Sequence, residues 1–79
     1  MRYESRDQLP EPVRDHLPEH AQEIYRQAFN HAYEEYADPA KRHSGGTREG
    51  TAYAVAWAAV EHEYAKGSDG QWVRKDAHG

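Results

Sequence analysis

The residue best placed to carry chemistry is Glu63. At about 100° per residue it falls in the middle of an apolar arc formed by Ala52, Tyr53, Val55, Ala56, Trp57, Ala59, Val60 and Tyr64. A lone buried carboxylate is costly, so a carboxylate there must find partners, take up a proton or stand at an exposed helix end. His20, a tyrosine hydroxyl, the Trp72 indole N–H and backbone amides at a helix start are the available partners. Glu63 is therefore expected to be a partly buried, hydrogen-bonded anchor rather than a catalytic group.

The remaining reactive side chains are less well arranged. His16 and His20 have the i, i+4 spacing that can chelate a metal on one helix, but Pro18 lies between them and breaks that helix. His31 with Glu34 or Glu35, and the run Glu61-His62-Glu63, fall short of the three or four convergent ligands that zinc expects. Ser5, Ser44 and Ser68 lie in polar segments without a nucleophile frame. Gly45-Gly46 lacks the Lys-Ser/Thr continuation of a phosphate-binding loop. The expectation is no catalytic residue, no cofactor and no metal. The aromatic residues Tyr25, Phe29, Tyr33, Tyr36, Tyr53, Trp57, Tyr64 and Trp72 are not interleaved with basic ones as in a base-stacking platform, so they read as core. Trp57 in particular is expected inside it.

The elements that position these residues are few. A chain of 79 residues is one domain and only marginally able to bury a core. It has no cysteine, which removes thiolate sites and disulfides. The formal charge is −4, with ten basic residues scattered among fourteen carboxylates, which disfavours nucleic-acid binding. No apolar run approaches the roughly 18 residues of a membrane span, and the N-terminus has no apolar signal region, so a soluble, cytoplasmic protein is expected.

Leu9, Val13 and Leu17 repeat at i, i+4, i+8 and predict a short first helix, opened by Pro10 and Pro12 and ended before Pro18. A second helix is expected from about Glu19 to Tyr36, with Ala21, Ile24, Tyr25, Ala28, Phe29, Ala32 and Tyr36 on one arc. Residues 40–47 read as a polar loop, and Ser44 or Thr47 can cap a third helix. Gly50 and Thr51 weaken its first turn. The helix then runs strongly from Ala52 to Lys66, with Gly67 as a left-handed cap. Its apolar arc is wide enough to be covered on more than one side. Residues 71–75 have strand character and, with the segment around Tyr3, could form a two-stranded ribbon from the termini. The expected fold is mainly α: one compact domain over residues 1–79 of one short and two long helices, ordered from about 3 to 75, with 76–79 disordered.

The order of certain pairs and runs resembles the ChaB family. These are Leu9-Pro10, Leu17-Pro18, His20-Ala21-Gln22, Ile24-Tyr25, Ala28-Phe29-Asn30, Ala52, Val55-Ala56-Trp57-Ala58-Ala59-Val60, His62-Glu63-Tyr64, Lys66-Gly67 and Trp72. The resemblance implies a helical domain with a small sheet contribution in a cyclin-box-like arrangement. It also implies a cytoplasmic accessory role in regulating a cation/proton antiporter, and it carries over no catalytic residues. The Gly45-Gly46 loop and Gly50 depart from the family's more charged pattern.

The function expected from these readings is a non-enzymatic regulatory module that binds a protein partner, such as the cytoplasmic face of a cation antiporter. It is expected to be a monomer with no small-molecule substrate and no membrane insertion. The contact face expected is the polar side of the second helix: Glu23, Arg26, Gln27, Asn30 and Glu34; Asn30 is a poor mid-helix residue, and the alternative for it is a bond to a neighbouring loop that stabilises the fold. Two alternatives stand beside it. A nucleic-acid-associated or stress-response protein would show a concentrated basic face. A weak cation- or metal-binding protein would show converging carboxylates and histidines.

Overall fold

The computed structural model describes residues 3–41 and 46–75. After a 3-10 turn at Arg6–Gln8 come α1 (Glu11–His16), α2 (Glu19–Glu35), a second 3-10 turn at Pro39–Lys41, α3 (Arg48–Glu63), β1 (Tyr64–Lys66) and β2 (Trp72–Arg74). The principal extents are 44 × 24 × 17 Å. The body is an antiparallel pair of long helices, with α1 at one end of the core and a short hairpin following α3.

The junction of α1 and α2 follows from proline. Leu17 is extended, with φ −103° and ψ 136°, as a residue before proline must be. Pro18 then occupies the cap position of α2. Leu9, Val13 and Leu17 are all buried, as their spacing requires. Gln22 seals the corner: its side-chain amide donates to the carbonyls of Leu17 (2.8 Å) and Arg14 (3.2 Å), which the end of α1 leaves unpaired. Arg14 in turn donates to the carbonyl of Leu9 at 3.0 Å.

Between α2 and α3 the contact is made by small residues. Ala21 and Ala32 on α2 and Ala52 and Ala56 on α3 are fully buried, and beside them lie Tyr25, Phe29 and Val60. Alanine at these positions lets the two backbones come close, and the aromatic rings fill what remains. Thr47 caps α3 by accepting the Gly50 N–H at 2.9 Å. The alternative cap, Ser44, and the tail at 76–79 lie outside the described residues.

Three expectations are corrected here. First, α3 does not run to Lys66. Tyr64 is extended (φ −128°, ψ 152°), and β1 pairs antiparallel with β2 in the register Tyr64↔Arg74, Ala65↔Val73, Lys66↔Trp72. The last turn of a helix leaves carbonyls unpaired, and the ladder offers those residues partners while Tyr64 turns into the core. The left-handed glycine is Gly70 in the turn, at φ 87°, and not Gly67. Second, the ribbon is this local hairpin and not a pairing of the two termini; the Tyr3 segment lies on α2 instead. Third, α3 is covered along one stripe. Ala52, Ala56 and Val60 are buried, Val55, Trp57 and Ala59 flank them, and Tyr53, Ala54 and Ala58 are exposed.

Trp57 therefore lies at the edge of the core rather than inside it. Its ring meets Tyr25 edge-on at 5.4 Å and is covered by Trp72 at 5.5 Å. Its indole N–H is buried with no hydrogen-bond partner among the described residues.

Candidate functional site

The polar side of α2 is organised by Asn30. This residue is 7% exposed, so its amide needs partners inside the protein. Both come from the backbone of one residue: Oδ1 accepts the Tyr3 N–H and Nδ2 donates to the Tyr3 carbonyl, each at 2.8 Å. The side chain thus pairs with Tyr3 much as a neighbouring strand would. Arg26 adds a third bond to the Tyr3 carbonyl at 3.2 Å and donates through Nε and a terminal nitrogen to the Glu23 carboxylate. The Tyr3 ring then rests on Phe29, with centroids 4.8 Å apart. The backbone of one residue is held by two side chains of a helix more than twenty residues away.

This corrects the expectation that Glu23, Arg26, Gln27, Asn30 and Glu34 all lie off the core. Asn30 is buried, and Arg26 and Glu23 are half-buried. A helical wheel assigns polar residues outward by type. Here the N-terminal segment covers that flank of α2, and its peptide groups match an amide and a guanidinium. Gln27 and Glu34 do remain exposed, as does His31, whose Nε2 lies 3.7 Å from the Glu35 carboxylate. Together Arg26, Gln27, Asn30, His31 and Glu34 line a shallow depression of about 400 Å³. Two of its lining residues, Asn30 and Arg26, are fixed by their bonds to Tyr3, and the lining side chains are hydrogen-bonding and of mixed charge.

The Arg26 hydrogen bond holds the Glu23 carboxyl below the usual carboxylate range. Desolvation, the next largest effect, opposes it, and the Gln27 amide and the charges of Arg26 and Arg6 lower it further. A carboxyl depressed in the folded state contributes stability that is present above its unfolded pKa and is lost as pH falls through the folded value. Glu23 should therefore titrate below the usual carboxylate range when its side-chain carboxyl resonance is followed by NMR. Arg26→Ala should move its midpoint back up toward the ordinary carboxylate range. An unchanged midpoint would remove Arg26 as the cause.

Glu63 is not a buried anchor. It is the last residue of α3, its side chain is exposed, and its carbonyl accepts the Lys75 N–H at 3.0 Å. The wheel position would have been buried had the helix continued, but the chain turns there and Tyr64 takes the inward place.

The described histidines are dispersed. His16 Nδ1 lies 3.0 Å from the Pro12 carbonyl of its own helix, and the His20 ring lies 6.3 Å from that of Tyr64. Among the described residues no three His, Asp or Glu side chains are placed to hold a metal ion. No described helix is long and apolar enough to cross a membrane.

Sequence reasoning missed two residues that tie elements together. Gln22 closes the α1–α2 corner, and its run His20-Ala21-Gln22 was the signal for it. Arg48, at the start of α3, donates to the Tyr33 carbonyl at 2.6 Å and lies 3.7 Å over the Tyr33 ring. Nothing in the spacing of an arginine after a loop identifies that partner.

Comparison with known proteins agrees with this architecture. The ChaB family profile matches residues 9–75. Proteins from Escherichia coli strain K12 and Shigella flexneri, each named "Putative cation transport regulator ChaB", are 52% identical over 75 residues. Each alignment covers 95% of this chain and 99% of the relative. The solution NMR structure of a protein with the same name superposes with a TM-score of 0.79 at 51% identity, covering 94% of this chain and 99% of that one.

Proposed function

The chain belongs to the ChaB family, and from that premise we propose that it is a non-enzymatic regulator of cation transport that acts by binding a protein partner through the exposed face of α2. The observation that carries this reading is the depression on that face. It is shallow and lined by polar side chains, two of which, Asn30 and Arg26, are held by the Tyr3 backbone. Such a surface offers a pre-formed shape and a hydrogen-bonding rim, which suit a folded partner's loop. On this reading the partner is the cytoplasmic side of a cation antiporter, the protein works as a monomer in the cytoplasm, and it neither transforms a small molecule nor enters the bilayer.

The nucleic-acid alternative is weakened by where the arginines sit. Arg6 lies 3.5 Å from Glu19, Arg26 is bound to Glu23, and Arg48 is held on Tyr33. Arginines placed beside carboxylates and rings within the fold do not make the concentrated basic face that phosphates select.

The contact residues to test are those that exposure leaves available, which excludes Arg26 and Asn30. Gln27, His31 and Glu34 should be replaced together by alanine, and the helical circular dichroism should be unchanged. In host cells lacking the chain, cation efflux is expected to differ from wild type and to be restored by the native protein. The folded triple variant should restore less than about a tenth of it, as for loss of a central contact. Full restoration by the variant would move the docking surface to the hairpin around Trp72 or to α1. Unaltered efflux in cells lacking the chain would remove the regulatory role itself.

A further inference from the structure

The bonds on Tyr3 describe a receptor as well as a contact. The N–H and C=O of one residue point to the same side where the chain is extended, and Asn30 takes both. An amide that accepts from one and donates to the other does what a neighbouring strand does, and it reads backbone rather than side chain. Arg26 adds a bond to the same carbonyl. Beside this clamp the Phe29 ring is covered on one flank by the Tyr3 ring, with centroids 4.8 Å apart and planes at 52°. Any extended residue with an N–H can fill the clamp, and an aromatic side chain fills the seat on Phe29.

The present occupant is lightly fastened. None of residues 3–8 is buried, and Leu9 is the first residue to enter the core. The 3-10 turn closes on its own segment: the Gln8 N–H donates to the Ser5 carbonyl at 3.2 Å, and the Gln8 side chain accepts the Glu4 N–H at 2.6 Å. Arg6 lies 3.5 Å from Glu19 and 4.0 Å from Glu23, and ion pairs near the surface hold little. Departure of the segment breaks the bonds at Tyr3 and few others. Asn30, in contrast, is 7% exposed, so its amide is costly to leave unfilled. The site therefore favours exchange of one extended segment for another over standing empty.

We propose that the Asn30–Arg26 clamp and the Phe29 seat form a docking site for an extended, aromatic-bearing segment of a protein partner, and that Tyr3 fills it in the free chain as a displaceable strap. This inference rests on the reading that the chain binds a protein partner, and it names how that partner is held. Asn30 and Arg26 also line the α2 depression, so a segment that replaces Tyr3 is continuous with that face. Burial and then the Glu49 carboxylate push the Tyr3 phenol above its ordinary value, so the incoming ring is an uncharged one. Main-chain bonds supply the attachment and the ring seat supplies the selection, as in strand-addition recognition.

The test is an NMR titration of the intact, isotope-labelled chain with a capped peptide of residues 2–8, Arg-Tyr-Glu-Ser-Arg-Asp-Gln. Tyr3→Pro removes both the N–H and the ring, so that variant's own strap cannot fill the site. No buried residue is altered, and its helical circular dichroism should match wild type. The peptide should shift the Asn30 side-chain amide saturably in Tyr3→Pro. It should bind wild type at least about tenfold more weakly, because the strap competes there at an effective concentration of about a millimolar. N-methylation of the peptide's tyrosine, or its replacement by alanine, should each weaken binding roughly tenfold. A capped Gly-Thr-Tyr-Thr-Gly peptide should bind within about threefold of the native sequence, since the clamp reads backbone. In wild type, saturating peptide should speed hydrogen exchange at the Tyr3 amide while the α2 and α3 amides keep their protection, a readout that does not depend on the variant. Absence of a saturable shift in both chains overturns the proposal, as does equal binding of the N-methyl or alanine peptide. A wild-type chain that dimerises with concentration while Tyr3→Pro stays monomeric would assign the site to a second copy and overturn its assignment to a different protein. The titration uses no transporter, so it can fail while the Gln27, His31 and Glu34 variant still fails to restore efflux, and the reverse.

Discussion

Phe29→Ala should lower the unfolding free energy by about 3–5 kcal/mol, the cost of truncating a buried aromatic to alanine. Phe29 is 4% exposed and touches three rings: Tyr3 at 4.8 Å, Tyr33 at 5.9 Å and Tyr25 at 6.2 Å. Its removal empties the space between the helices and also takes away the seat of the Tyr3 ring. Small domains have total stabilities of about 5–15 kcal/mol, so the variant should lose a large share of its stability. Urea denaturation followed by far-ultraviolet circular dichroism gives the number. Tyr53→Ala is the matched control, since it removes a ring that is 53% exposed, and it should shift stability by less than about 1 kcal/mol. If Phe29→Ala cost no more than the control, the core would not be centred between α2 and α3 as described.

How much of this was legible in the sequence depended on whether a feature was local. Leu9, Val13 and Leu17 share a face, and Pro18 limits their helix, so α1 and its burial followed from spacing alone. The span of α2 followed in the same way, to within a residue at its C-terminal end. The end of α3 did not follow. Glu61, Glu63, Ala65 and Lys66 are good helix formers, and no local signal stops the chain at Glu63. The helix ends there because residues 72–74 return to pair with residues 64–66, and pairing between separated segments overrides propensity. The misplacement of Glu63 is a consequence of that one event. At Asn30 the sequence offered half of the answer. An asparagine in mid-helix is a poor choice for the helix alone, which marked it as having a purpose. That its partner in the fold was the Tyr3 backbone could not be read from α2 by itself.

Asn30 therefore yields a prediction whose sign decides between the two readings. On an exposed helix surface, Asn→Ala would stabilise the protein by roughly half a kcal/mol, because alanine is the better helix former. The structure expects the reverse. Alanine leaves both the N–H and the carbonyl of Tyr3 without their 2.8 Å partners in a partly buried setting. The loss should be about 1–3 kcal/mol, since each buried group left unpaired carries its desolvation penalty. Arg26 still reaches the Tyr3 carbonyl at 3.2 Å, so the carbonyl is partly compensated, while the N–H has no described substitute. The variant should accordingly lose hydrogen-exchange protection at the Tyr3 amide first, with the α2 and α3 amides affected only through the global change in stability. A stabilised variant would place Asn30 back on the surface as a contact residue. A destabilised variant with the Tyr3 amide still protected would mean that the N-terminal segment is held by its ring on Phe29 rather than by the clamp.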